Sequence, residues 1–161
     1  MIQKKVDHTA EAAKVVQVSA QSIQVGEVMS RSAVCLNPEV RLHAVTQMFL
    51  DRGISSAPIV DDAWRPMGIL SKTDLLRRYS EDPSAPRDLQ GRASDVMTPS
   101  VLTLPPEAPM TVAAAVMAYE GVHRLPVVAP SGEVVGMVGT LDIVKWVARM
   151  TDTAPDPKKK Q

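Results

Sequence analysis

Gly68-Ile69-Leu70-Ser71-Lys72-Thr73-Asp74 returns 68 residues later as Gly136-Met137-Val138-Gly139-Thr140-Leu141-Asp142. The same offset carries Val28-Met29-Ser30 onto Val96-Met97-Thr98, Pro38 onto Pro106, Gly53 onto Gly121 and Pro58 onto Pro126, without a gap. A fixed period of glycines, prolines and a carboxylate marks one supersecondary unit built twice. Two such units can bury their apolar faces on each other about a pseudo-twofold axis. The cleft between them is then the natural place for a ligand.

Each copy reads as a short strand, a helix, two strands and a second helix. In the first copy Val34-Cys35-Leu36 is an apolar run ended by Asn37-Pro38. Leu42, Val45, Met48 and Phe49 follow helical spacing, and Gly53 stops that helix. Ala57-Pro58-Ile59-Val60 is a strand with its proline near the start, where a missing N–H matters least. A polar turn leads to Met67-Gly68-Ile69-Leu70, and a helix begins after Ser71. The second copy follows suit, with Val101-Leu102-Thr103, a helix over about Met110 to Tyr119, Leu125-Pro126-Val127-Val128, Val134 to Val138, and a helix from Thr140 to about Met150. Short strands alternating with helices predict an α/β fold. The expected layout is an N-terminal extension over 1–24, repeats over 25–79 and 93–150, a proline-bearing linker over 80–92 and a disordered tail over 151–161. Within the extension, Thr9-Ala10-Glu11-Ala12-Ala13-Lys14 reads as a helix start and Val16 to Ile23 partly as an alternating strand.

Composition bounds the function. At 161 residues, 45% of them hydrophobic, the chain can bury one good core, shared by two halves. Lys plus Arg equals Asp plus Glu at 18 each, so no global field draws in nucleic acid or an anionic membrane. Aromatics at 3% leave little for a base-stacking surface. Cys35 stands alone, which excludes an internal disulfide and fits a reducing, cytoplasmic setting. There is no transmembrane-length apolar run and no signal-peptide pattern at the start.

The chemistry-bearing residues gather in two places. After the strand ending at Ser71, a helix N-terminus offers unpaired N–H groups and a positive dipole end, where a phosphate can sit against the Ser71 hydroxyl. Asp74, one turn in, can accept both hydroxyls of a ribose. Ser-x-x-Asp is equally a variant of the capping box, which satisfies the helix's own donors. In the second copy Gly139 replaces the serine while Asp142 remains, a pattern that leans toward a task for the carboxylate. The other place is His123-Arg124, just before Leu125-Pro126; arginine suits phosphate by its fork geometry. A solvent-facing Arg and a packed His are the plainer account of that pair. His8, His43 and Cys35 lack metal-ligand spacing. No catalytic serine elbow, triad order or Walker loop is present, so an enzyme is not expected.

Val28-Met29, Leu36-Asn37-Pro38, Ala57-Pro58-Ile59-Val60, Gly68-Ile69-Leu70-Ser71-x-x-Asp74 and their second copies resemble a tandem pair of CBS domains, a Bateman module, over about residues 25 to 150. The resemblance implies a βαββα unit per repeat, a compact pair and a homodimer of pairs. It implies a stand-alone regulatory module that binds AMP, ADP, ATP, S-adenosylmethionine or another adenosyl compound and signals to a regulated protein, with no obligatory cofactor. It assigns phosphate and ribose to Ser71 and Asp74, with Asp142 in the second half, and a phosphate contact from the opposite repeat to His123 and Arg124. It sets the adenine against strands of the same repeat, at Val34, Ile54, Ala57 and Ile69. The alternative is a dimerisation or adaptor module that binds no ligand. Ile143, Val144, Trp146, Val147 and Met150, with Leu75, Leu76 and Tyr79, exceed one core-facing stripe and are the expected dimer face.

Overall fold

A computed structural model describes residues 23–81 and 91–150. The expected N-terminal extension up to residue 22, the middle of the linker, the tail from 151 and the side chain of Tyr79 lie outside the described residues. The first half holds α1 (Val25–Val28), α2 (Leu42–Asp51), β1 (Ser56–Val60), β2 (Pro66–Ser71) and α3 (Lys72–Glu81). The second holds α4 (Ala93–Val96), β3 (Thr98–Pro99), α5 (Met110–Glu120), β4 (Arg124–Val128), β5 (Val134–Gly139) and α6 (Thr140–Met150).

Each half has a core built the same way. Helix α2 buries Leu42, Val45 and Phe49, and α5 buries Met110, Ala113 and Met117, the same three turns of the repeat. Both helices end where glycine takes a left-handed backbone, at Gly53 (φ +62) and Gly121 (φ +67). A residue with a Cβ adopts that conformation only at a cost. The antiparallel hairpins also match, with Ala57 opposite Leu70 in β1–β2 and Leu125 opposite Val138 in β4–β5.

Two features depart from the sequence reading. The expected first strand of each repeat shrinks to one parallel bridge, Leu36 to Ile59 and Leu104 to Val127. Prolines explain the arrest, because Pro38 and the Pro105-Pro106 pair cannot donate to a continuing ladder. Asn37 also turns the chain, its side-chain oxygen accepting the Glu39 N–H at 2.9 Å.

The second departure is an exchange between halves. Val25 and Met29 pack into the core of the second half, beside Met110, Leu125, Val138 and Trp146. Ala93, Val96 and Met97 pack into the first, beside Leu42, Phe49 and Leu70. The Val25 N–H donates to Ala108 O at 2.8 Å, and its counterpart Ala93 N–H donates to Val40 O at 2.8 Å. Strand β3 adds to the edge of β2, with Thr98 opposite Ile69, and Ser30 bridges Met137 in the mirror arrangement. Where these segments cross, the hairpin must carry glycine. A Cβ on Gly68 would stand 2.6 Å from Met97 Sδ, and one on Gly136 would stand 2.6 Å from Met29 Sδ.

Candidate functional site

The exchange brings the two chemistry-bearing stretches face to face. Ser71, Asp74, His123 and Arg124 line one cleft of 580 Å³, with Ile69 on its apolar wall. That volume falls within the roughly 300–1,000 Å³ of small-molecule pockets. Ser71 ends β2 and Asp74 stands in the first turn of α3, so both sit at a helix N-terminus. Arg124 opens β4, and the carbonyl of His123 is held by the N–H and hydroxyl of Thr140, each at 3.0 Å.

The capping box is formed. Asp74 Oδ2 accepts the Ser71 N–H at 2.8 Å and the Ser71 hydroxyl at 2.6 Å, while the Asp74 N–H donates to Ser71 Oγ at 3.2 Å. Oδ1 is left with a 3.8 Å approach to the Arg77 guanidinium, on a side chain only 11% exposed. Cap and ligand site are therefore the same carboxylate, one oxygen fixing its orientation and the other available to a hydroxyl. At the second mouth Asp142 Oδ2 accepts the Gly139 N–H at 2.9 Å. The backbone half of the cap thus survives the loss of the serine. This accounts for the retention of Asp142 without a ligand, and the sequence contrast between the two copies loses its weight.

Of the residues expected against the adenine, Ile69 lines this cleft and the other three do not. Ala57 is fully buried in the first half's core, and Val34 and Ile54 pack against that core instead of lining this cleft. In their place stand Leu102, Val122 and Leu125, their counterparts 68 residues on. A cleft between exchanged halves takes its carboxylate from one repeat and most of its apolar wall from the other. Val34, Ile54, Ala57 and Ile69 all share a repeat with Asp74, and of these Ile69 reaches the cleft. Sequence reading also passed over Lys72, Thr98 and Ser100. Lys72 lies inside the Ser-x-x-Asp stretch and was legible there, whereas Ser100 is marked only by its backbone, at φ +63. Such conformations collect at ligand sites.

Other candidates stay apart. Cys35 is half-buried, and that burial pushes its thiol pKa up, away from the reactive thiolate. Among the described residues no group of three or more His, Cys, Asp or Glu is placed to hold a metal ion. No helix among them is long and apolar enough to cross a membrane.

The chain is similar to known proteins at three levels: a family model, relatives in sequence and solved structures. The family model described as CBS domain matches residues 25–81 and 93–149. An uncharacterized protein of Methanopyrus kandleri is 27% identical over 140 residues, covering 87% of this chain and 70% of its own length. Against another uncharacterized relative, from Methanocaldococcus jannaschii, the identity is 25% and the chain spans 41% of that protein. Among solved structures, CBSX2 in complex with AMP superposes with a TM-score of 0.69 at 23% identity, covering 80% of this chain and 98% of that one. The CBS domain pair of protein MJ0100, in complex with 5-methylthioadenosine and S-adenosyl-L-methionine, gives 0.69 at 21%, covering 78% and 96%. At these identities the superpositions speak for the fold.

Proposed function

The chain belongs to the CBS domain family, matched once in each repeat, and from that premise we propose that it is a regulatory pair that binds an adenosyl compound in the Asp74 cleft and passes the occupancy on to a partner protein. One observation carries the proposal: Ser71 and Asp74 of one repeat and His123 and Arg124 of the other line a single cleft of nucleotide size. The ribose hydroxyls bond Asp74 Oδ1, the phosphate meets the α3 N-terminus and Arg124, and the base lies on Ile69, Leu102 and Val122. Nucleotide-bound and S-adenosylmethionine-bound pairs of the same fold support the class of ligand. Asp74 is the one carboxylate of the lining, and the paired repeats with bound adenosyl ligands favour sensing as the role of the cleft. The regulated protein is the unassigned member of this scheme. A second copy, met through the helices, is the proposed frame in which occupancy is read out.

A thermal-shift series over adenosine, AMP, ADP, ATP and S-adenosylmethionine tests the reading. A ligand at a hundred times its dissociation constant adds about 2.7 kcal/mol of stability, a rise of several degrees. Asp74→Ala should erase the shift, whereas Asp142→Ala should leave most of it. The second mouth offers Gly139, without a hydroxyl, where the first offers Ser71. Were no compound to shift the transition, the adaptor alternative would stand instead.

A further inference from the structure

We infer that the Asp74 cleft selects its ligand by charge, taking phosphorylated adenosine over unphosphorylated or sulfonium-bearing forms, and that Lys72 sets this preference; the inference rests on the adenosyl reading above. Three residues with cationic or protonatable side chains, Lys72, His123 and Arg124, line the cleft, and Lys72 stands at its border with the apolar groove of Phe49, Leu50, Leu75 and Leu76 between α2 and α3. Among the described residues none of the three side chains has a hydrogen bond or ion pair. The only acid in the lining is Asp74, one oxygen of which is already bonded twice by Ser71. Two permanent cations, Lys72 and Arg124, thus stand against one carboxylate, and the lining carries an excess of positive charge.

Neither the helix nor the duplication accounts for that charge. Lys72 is the first residue of α3, its N–H anchored on Ser55 O at 2.9 Å, so a cation stands at the positive end of the helix dipole. Helix stability disfavours a cation there, and an anion in the cleft would offset both. The pseudo-twofold counterparts of Lys72, His123 and Arg124 are Thr140, Ser55 and Ser56, all uncharged. The repeat is thus built at the counterpart positions without these charges. A phosphate satisfies them with charge-assisted bonds. A sulfonium in the same place meets like charge, and discrimination comes from that repulsion as much as from the attraction. Arg124 supplies directional bonds, while Lys72 acts as a point charge on a flexible stem.

Calorimetry with AMP, adenosine and S-adenosylmethionine, on the wild type and on Lys72→Met and Lys72→Arg, separates the possibilities. The methionine keeps the stem and removes the charge. The wild type should bind AMP at least about tenfold tighter than the other two compounds. Lys72→Met should weaken AMP by about tenfold, leave adenosine unchanged and tighten S-adenosylmethionine, with Lys72→Arg close to wild type on AMP. Wild-type binding of S-adenosylmethionine as tight as AMP, or equal losses of AMP and adenosine in Lys72→Met, overturns charge selection and leaves the adenosyl reading intact. Failure of all three compounds to bind the wild type overturns that reading, and the selection falls with it.

Discussion

Gly68 and Gly53 recur in both repeats for different physical reasons, which single substitutions can separate. At Gly68 an added Cβ would stand 2.6 Å from Met97 Sδ and 2.9 Å from the Thr98 carbonyl oxygen. The crossing segment must then move, and overpacking of this kind costs about 1–3 kcal/mol. At Gly53 a Cβ would meet nothing within 4 Å, and only the left-handed φ of +62 opposes it. That penalty is about 1 kcal/mol. Urea unfolding should therefore rank Gly68→Ala as the more destabilising change. The reverse order would mean that the crossing at Met97 is looser than described. Both glycines were visible in the repeat, yet nothing in the sequence says which is a turn and which a close approach.

Among the elements, α1 belongs by sequence to the first repeat and by packing to the second. Val25 is fully buried there, among Met110, Leu125, Val138 and Trp146. Val25→Ala removes two buried methyl groups and should cost about 1–3 kcal/mol. Hydrogen exchange should then quicken first in α5, β4, β5 and α6, more than 80 residues away along the chain. Loss of protection confined to α2, β1 and β2 would contradict the exchange. The helices also correct the expected dimer face. Trp146 is 9% exposed and packs in its own half's core with Ile143 and Met150 around it, and Leu75 is likewise buried. A hydrophobic count along a helix cannot separate an outward residue from one facing the neighbouring helix of its own layer.

For the whole molecule, the outward apolar residues remain once Trp146 and Leu75 are set aside. Leu76 is 68% exposed and its counterpart Val144 is 57% exposed, with Leu50 and Leu141 at 64% and 63%. Such residues on paired helices suit a self-complementary twofold contact. Light scattering at micromolar concentration should find a homodimer, and Leu76→Glu with Val144→Glu should return a monomer. A wild-type monomer, or a double mutant still dimeric, would sink this interface. The pair's own pseudo-symmetry is also imperfect where the hairpin turns meet. Val134 N–H donates to Trp64 O at 2.9 Å, and its counterpart Pro66 has no N–H with which to repeat the bond.

By itself the sequence determined the duplicated unit, its helices and hairpins, and the residues that carry charge and hydroxyl to a cleft. Periodicity, capping and proline chemistry act within a few residues, and a gapless offset compounds them across both copies. Tertiary structure alone decided which half each first helix completes, and so which repeat supplies the apolar wall. Leu102, Val122 and Leu125 stand where Val34, Ile54 and Ala57 were expected. The two arrangements have the same local sequence preferences and, by the repeat, nearly the same side chains. What separates them is the crossing of Met29 over Gly136 and of Met97 over Gly68, a non-local contact with no local signature.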